Sequence, residues 1–220
     1  MGFFALSTLL VAGAGVYLLS RVMPNFQINN KRIQADLKEM REELEPLTNH
    51  LIPISDKELE LIARQIEPIS SKKRFTQNRK GKVETIFDEE VAIYYHRIYN
   101  SNANSRNELL YVQMDKYQYY YWLRKEEIRF VIDNQYVGSF KGDNLYGGKN
   151  QELIARLDRT PKNYDAIIVR DREVASLSTK AKEQDKKDLT NRAFEFIVND
   201  LSSEERHLIV AFTLLELIIH

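Results

Sequence analysis

The sequence predicts a mainly β protein with helices: a closed or nearly closed antiparallel β-barrel around a hydrophobic C-terminal helix, preceded by an N-terminal transmembrane helix and a short helical connector. Three observations lead there. Phe3 to Ser20 is an uncharged apolar run. From Gly81 onward, segments rich in Val, Ile, Tyr and Phe alternate with clusters of Asn, Asp and Gly. The chain closes on Leu208 to Ile219, which is apolar on nearly every helical face. The expected organisation is an anchor at 1–23, a connector at 24–71 and the barrel domain at 72–220.

As a helix, the Phe3–Ser20 run extends roughly 27 Å, about the thickness of a hydrocarbon core. A cleaved secretory signal would need a basic start and a small-residue cleavage site after its apolar stretch. No Lys or Arg precedes this run, and its small residues, Ala12 to Gly15, lie inside it. The uncleaved anchor is therefore preferred. Arg21, Lys31, Arg32, Lys38 and Arg41 all follow the span, so the positive-inside rule places the rest of the chain in the cytoplasm.

In the connector, Ile33, Leu37, Met40, Leu44, Leu47 and Leu51 alternate four and three apart. This is the seam of a helix that packs either on a second copy or on its own domain, and Pro46 interrupts it. Ser55 and Glu58 have the S-x-x-E spacing of a capping box, and Leu59, Ile62, Ala63 and Ile66 then form a stripe predicted to be a short second helix ending at Pro68.

Lys and Arg number 32 in the 220 residues, and so do Asp and Glu, so the chain is not a general trap for nucleic acid and no nucleic-acid partner is expected. The one strong local bias is Lys72, Lys73, Arg74, Arg79, Lys80 and Lys82, with no acid between Glu67 and Glu84. Near an anionic leaflet each such cation contributes about 1 kcal/mol of attraction, so this run is the candidate lipid-binding segment. A solvated linker is the alternative.

The β region is predicted to hold about ten strands, near 83–87, 91–99, 109–113, 118–123, 128–132, 136–140, 153–157, 166–169, 174–178 and 192–198. Asp133-Asn134 and Arg170-Asp171 are spaced for tight hairpin turns, which favours sequential antiparallel pairing. Ser202 and Glu205 form a second capping box before the closing helix. Enclosing its large apolar side chains is worth some 15 to 25 kcal/mol gross, and its apolar part, about 18 Å long, is too short to span a bilayer. A sheet curled around the helix solves both problems.

Several segments together resemble the tubby-like superfamily, which includes the phospholipid scramblases and the LURP-one-related proteins. They are Phe130 to Gly138, Glu152 to Leu157, Tyr164 to Val169 with Glu173 to Ala175, then Phe194 to Val198 and the closing helix. The resemblance covers about Gly81 to His220 and implies a twelve-stranded antiparallel barrel around the C-terminal helix. It departs from the scramblases in placing the apolar segment at the N-terminus and in lacking an acidic calcium loop. The phosphoinositide-binding Lys and Arg of tubby have no counterpart here, so the family's lipid specificity does not carry over.

Tyr119, Tyr120, Tyr121 and Trp122 put two rings on each face of one strand, so one pair is expected to be exposed or covered by a partner. That strand is the candidate interaction surface. Tyrosine also suits half-buried strand positions, which is the structural alternative. The histidines His50, His96, His207 and His220 share no metal-ligand spacing, and no phosphate loop or nucleophile elbow is present. The absence of cysteine removes disulfides and thiolate chemistry. No catalytic residue, metal or cofactor is therefore assigned. Glu216, a carboxylate in an apolar helix, is expected at the open end of the barrel.

The function that follows is that of a single-pass, non-enzymatic module docking its β domain on anionic membrane lipid or on a membrane protein. The alternative is an assembly subunit that forms a homodimer through residues 31–51.

Overall fold

The structure is a computed structural model that describes residues 30–69, 77–100, 106–147, 150–161, 164–178 and 191–219. The predicted anchor lies outside them, as do Lys72, Lys73 and Arg74. Among the described residues, no helix is long and apolar enough to cross a membrane. The chain divides into two compact units, Met1–Glu39 and Met40–His220. In the first, the described residues form the start of helix α1 (Asn30–Leu44), where Arg32 Nε donates to Asp36 Oδ2 at 3.2 Å, one turn along.

In the second unit α1 ends at Leu44, because Pro46 has no N–H to continue the ladder. The chain goes on as a 3-10 turn, Glu45–His50, closed by Thr48 Oγ1 on the Glu45 carbonyl at 2.8 Å. Met40 and Leu44 are buried, and Arg41 and Glu43 bond to the outer face of the sheet. Here these seam positions lie on their own domain.

Ser55 and Glu58 do form a capping box, with Ser55 N–H donating to the Glu58 carboxylate at 2.7 Å. The predicted second helix nevertheless stops after a single 3-10 segment, Asp56–Leu61. Ile62–Pro68 is instead the first strand, β1, so the barrel begins inside the stretch read as connector. The reason is geometric: residues four apart, such as Ile62 and Ile66, share a face in a helix and in a strand alike, so pairing with a neighbouring strand decides between the two.

Eleven strands follow: β2 (Gln77–Thr85), β3 (Glu90–Asn100), β4 (Asn107–Met114), β5 (Gln118–Arg124), β6 (Glu127–Ile132) and β7 (Gln135–Lys141), then β8 (Asn144–Gly147), β9 (Glu152–Asp158), β10 (Asp165–Val169), β11 (Arg172–Leu177) and β12 (Phe194–Ile197). Each pairs antiparallel with the next in a single twelve-stranded sheet. The first strand meets the chain entering the last one: Ala63 bridges Arg192, Arg64 N–H donates to the Asn191 carbonyl at 2.9 Å, and Ala193 N–H donates to the Ile62 carbonyl at 2.8 Å. The sheet thereby becomes a nearly closed barrel.

Two of these strands, β1 and β8, are absent from the sequence reading, and β2 begins six residues before its expected start. β8 is four residues long and ends on Gly147, so it has too little alternation to register. The hairpin between β6 and β7 turns on Asp133 and Asn134 with φ of 46° and 67°, both left-handed as a two-residue turn requires. Gly138 lies where β7 meets β8, and a Cβ there would fall on the Tyr146 carbonyl.

Helix α2 (Ser203–Ile219) starts at its predicted box, with Ser202 N–H donating to Glu205 at 2.8 Å and Glu205 N–H to Ser202 Oγ at 3.2 Å. The eight residues from Leu208 to Leu215 are all buried. That is more than two helical turns, so every face is covered. Inward residues of the strands, among them Val83, Leu110, Tyr121, Phe130, Ala155 and Val174, form one core with them. Phe140 meets Phe212 edge-to-face at 5.0 Å, and Tyr121 Oη donates to the Ala211 carbonyl at 2.9 Å. The barrel is filled by its own C-terminus.

Candidate functional site

Because α2 occupies the interior, the described residues of the barrel offer their two ends and outer face as sites. Strand β5 shows how alternation divides them. Tyr119 and Tyr121 point inward, and burial raises both phenol pKa values. Tyr119 Oη lies 3.0 Å from His207 Nδ1 at the start of α2. Burial, helped by the neighbouring Arg206, lowers the His207 pKa.

Tyr120 points outward yet is buried: it stacks on Tyr111 at 5.1 Å, and Arg41 of α1 donates to its oxygen at 2.7 Å. Burial pushes the Tyr111 phenol up to about 12. Of the four rings expected to form an interaction surface, three are thus covered by the chain itself. Only Trp122 keeps partial exposure.

The indole of Trp122 is anchored by its Nε1–H, which donates to Asn107 Oδ1 at 3.0 Å. The guanidinium carbons of Arg124 and Arg129 lie 5.6 and 5.5 Å from its ring, within cation–π range. Arg129 sits opposite Trp122 in the β5–β6 pair, and Arg124 is two residues further along β5. With Lys125, Glu126, Glu127, Lys141 and Gly142 they line an open groove of about 670 Å³.

The basic run is divided by its strand. Arg79 shares a face of β2 with Gly81, whose side meets the inward ring of Tyr94, and is itself exposed. Lys80 and Lys82 lie on the opposite face, where they pair with Glu43 and Glu90. Lys80 also sits over the Tyr95 ring at 4.8 Å. No contiguous cationic stripe is formed by these three.

The barrel end at the C-terminus of α2 holds two ionic clusters. In the first, inside β3 and β4, His96 Nε2 lies 2.8 Å from Glu108 Oε2, and Arg106 donates to both Glu108 oxygens at 2.9 and 3.3 Å. Burial alone would raise the Glu108 pKa. The bonds from His96 and Arg106 overcome it and bring the value down to about 2. In the second, Arg159 joins Asp143 at 2.9 Å, the buried Asp165 at 3.0 Å and Glu216 at 2.7 Å. Glu216 therefore sits at the barrel end as expected, and it is paired as well. The sequence contains no signal for its partner, 57 residues away.

Among the described residues, no three His, Asp or Glu side chains converge as a metal site. Both described clusters are held by charge-assisted bonds between their own members, an arrangement suited to fixing strands in place. Comparison with known proteins gives no matching family model, no similar curated protein and no similar solved structure.

Proposed function

We propose that this chain is a membrane-tethered, non-enzymatic binding module of tubby-like architecture, docking its barrel on anionic lipid or on a membrane protein from the cytoplasmic side. The observation that carries the reading is the filling of the barrel by α2. A closed sheet with an occupied interior leaves binding to its ends and outer face. The uncharged Phe3–Ser20 run supplies the tether, and the order of elements, an antiparallel barrel closing on an apolar helix, supports the family resemblance.

In sequence, Lys72, Lys73 and Arg74 fall between β1, which ends at Pro68, and β2, which begins at Gln77. Both points belong to the barrel end where α2 terminates, since β5 runs from Tyr119 beside His207 to Tyr121 beside Ala211 and the neighbouring strands alternate from it. Exposed Lys125, in the turn after β5, lies at this end too, while Arg106 and Arg159 there are already paired with carboxylates. An unpaired cation at this end would favour approach to an anionic leaflet.

Alkaline carbonate extraction tests the tether. The full chain is expected to stay in the membrane pellet and a chain of residues 24–220 to be released. Release of the full chain would overturn the reading.

A further inference from the structure

We propose that the open edge of β1 is a docking site for an extended segment of another protein, added as a further antiparallel strand and carrying Lys or Arg at alternate positions. On one side β1 pairs with β2. On the other, the sheet is joined only through Ile62, Ala63 and Arg64, which meet residues 191–193 in the antiparallel sense. Arg64 N–H faces that second edge, so strand alternation turns the N–H and C=O of Ile66 and the carbonyl of Pro68 toward it as well. Among the described residues nothing pairs with them there. Pro68, with no N–H to give, ends the strand and its open edge.

The charges beside this edge select a cationic strand. An open groove of about 490 Å³ runs there, and its lining includes Glu67, Glu84 and Asp88 but no Lys or Arg. Lys82, opposite Glu67 in the β1–β2 pair, is engaged by Glu90. Burial raises the Glu84 pKa, and the neighbouring Glu67 carboxylate adds to the rise. Ile66 packs against the core, so Gln65 and Glu67 stand on the outer face of β1. Every second residue of an added strand meets those carboxylates, and the residues between turn toward the barrel seam. Backbone pairing supplies the affinity and the alternating side chains supply the specificity.

The site goes beyond the tether and lipid docking, and it stands or falls without them. The probe is a fluorescein-labelled heptapeptide of alternating Lys and Val, added to full-length protein in nonionic micelles and followed by anisotropy. Saturable binding is expected, and a peptide of alternating Glu and Val should not compete. Charge reversal in Glu67→Lys/Glu84→Lys should weaken binding about tenfold or more, whereas Asp171→Lys, in the β10–β11 turn, should leave it unchanged. Residues directly opposite in an antiparallel pair share a face, so a Val of the probe lies across from Ile66 and exchanges both backbone bonds with it. Methylating the Val nitrogens should therefore cost about tenfold or more, while methylating the Lys nitrogens, which point to the far edge, should cost little.

Equal binding by the two methylated probes would show charge attraction without strand addition and overturn the site. Equal binding by the charge-reversed variant would do the same. Absence of saturable binding would leave the edge to the chain itself, and binding that weakens as protein concentration rises would assign it to a second copy; either result overturns a foreign strand. The methylated probes act on the unaltered chain, so the test holds even where charge reversal disturbs folding.

Discussion

Phe212→Ala is the sharpest test of a barrel filled by its own helix. Phe212 lies mid-way along α2, is 2% exposed, and packs edge-to-face on Phe140 with ring centroids 5.0 Å apart. Deleting a buried phenyl group removes its transfer free energy and leaves a cavity that a surrounding sheet cannot collapse, a loss of about 3–5 kcal/mol. Up to about 1.5 kcal/mol of that is the ring pair itself, which a double-mutant cycle with Phe140→Leu isolates. For a chain of this size the midpoint of thermal unfolding should fall by roughly 10 °C.

The assay is urea unfolding of the full-length protein in nonionic micelles, read by far-ultraviolet circular dichroism and Trp122 emission. Phe196→Ala provides the control: Phe196 is 40% exposed on β12, so its loss should stay near 0.5 kcal/mol. A loss under about 1 kcal/mol for Phe212→Ala would refute the enclosed helix, because a helix with one face free could shed the ring at little cost.

Two further outcomes follow from the ionic clusters. Glu108, held at about 2 in the fold against an ordinary 4.5, adds stability that is complete above the ordinary value and disappears as the pH falls toward 2. Glu108→Gln should remove roughly 3 kcal/mol of that acid-dependent change, seen as a flatter stability profile over this range. Arg159→Ala should destabilise by about 3 kcal/mol, because the buried Asp165 and the largely buried Glu216 lose their shared counter-charge. Asp143→Ala, at a side chain 45% exposed, should stay within about 1 kcal/mol, and equal losses in the two variants would contradict the cluster's geometry.

Much of the fold was legible in the sequence, because its signals are local. Two capping boxes, the Asp133-Asn134 turn and the alternation of ten strands each depend on residues within a few positions of one another. The closing helix, apolar on nearly every face, demanded enclosure on composition alone. Capping, turn and burial preferences act over a turn or two of chain, so one sequence can declare them.

Only the tertiary structure decided what depends on partners distant in sequence. Ile62 and Ile66 fit a helix and a strand equally, and β2 made them a strand. Alternation in β2 sent Arg79 to one face and Lys80 and Lys82 to the other, where Glu43 and Glu90 neutralise them. The β5 rings read as a surface, yet two became core and a third lies beneath Arg41, 79 positions away. The pairing of Arg129 beside Trp122 likewise required the register of β5 on β6. Register and closure are collective properties of the whole sheet, set by which faces must be buried together, so no short window of residues contains them.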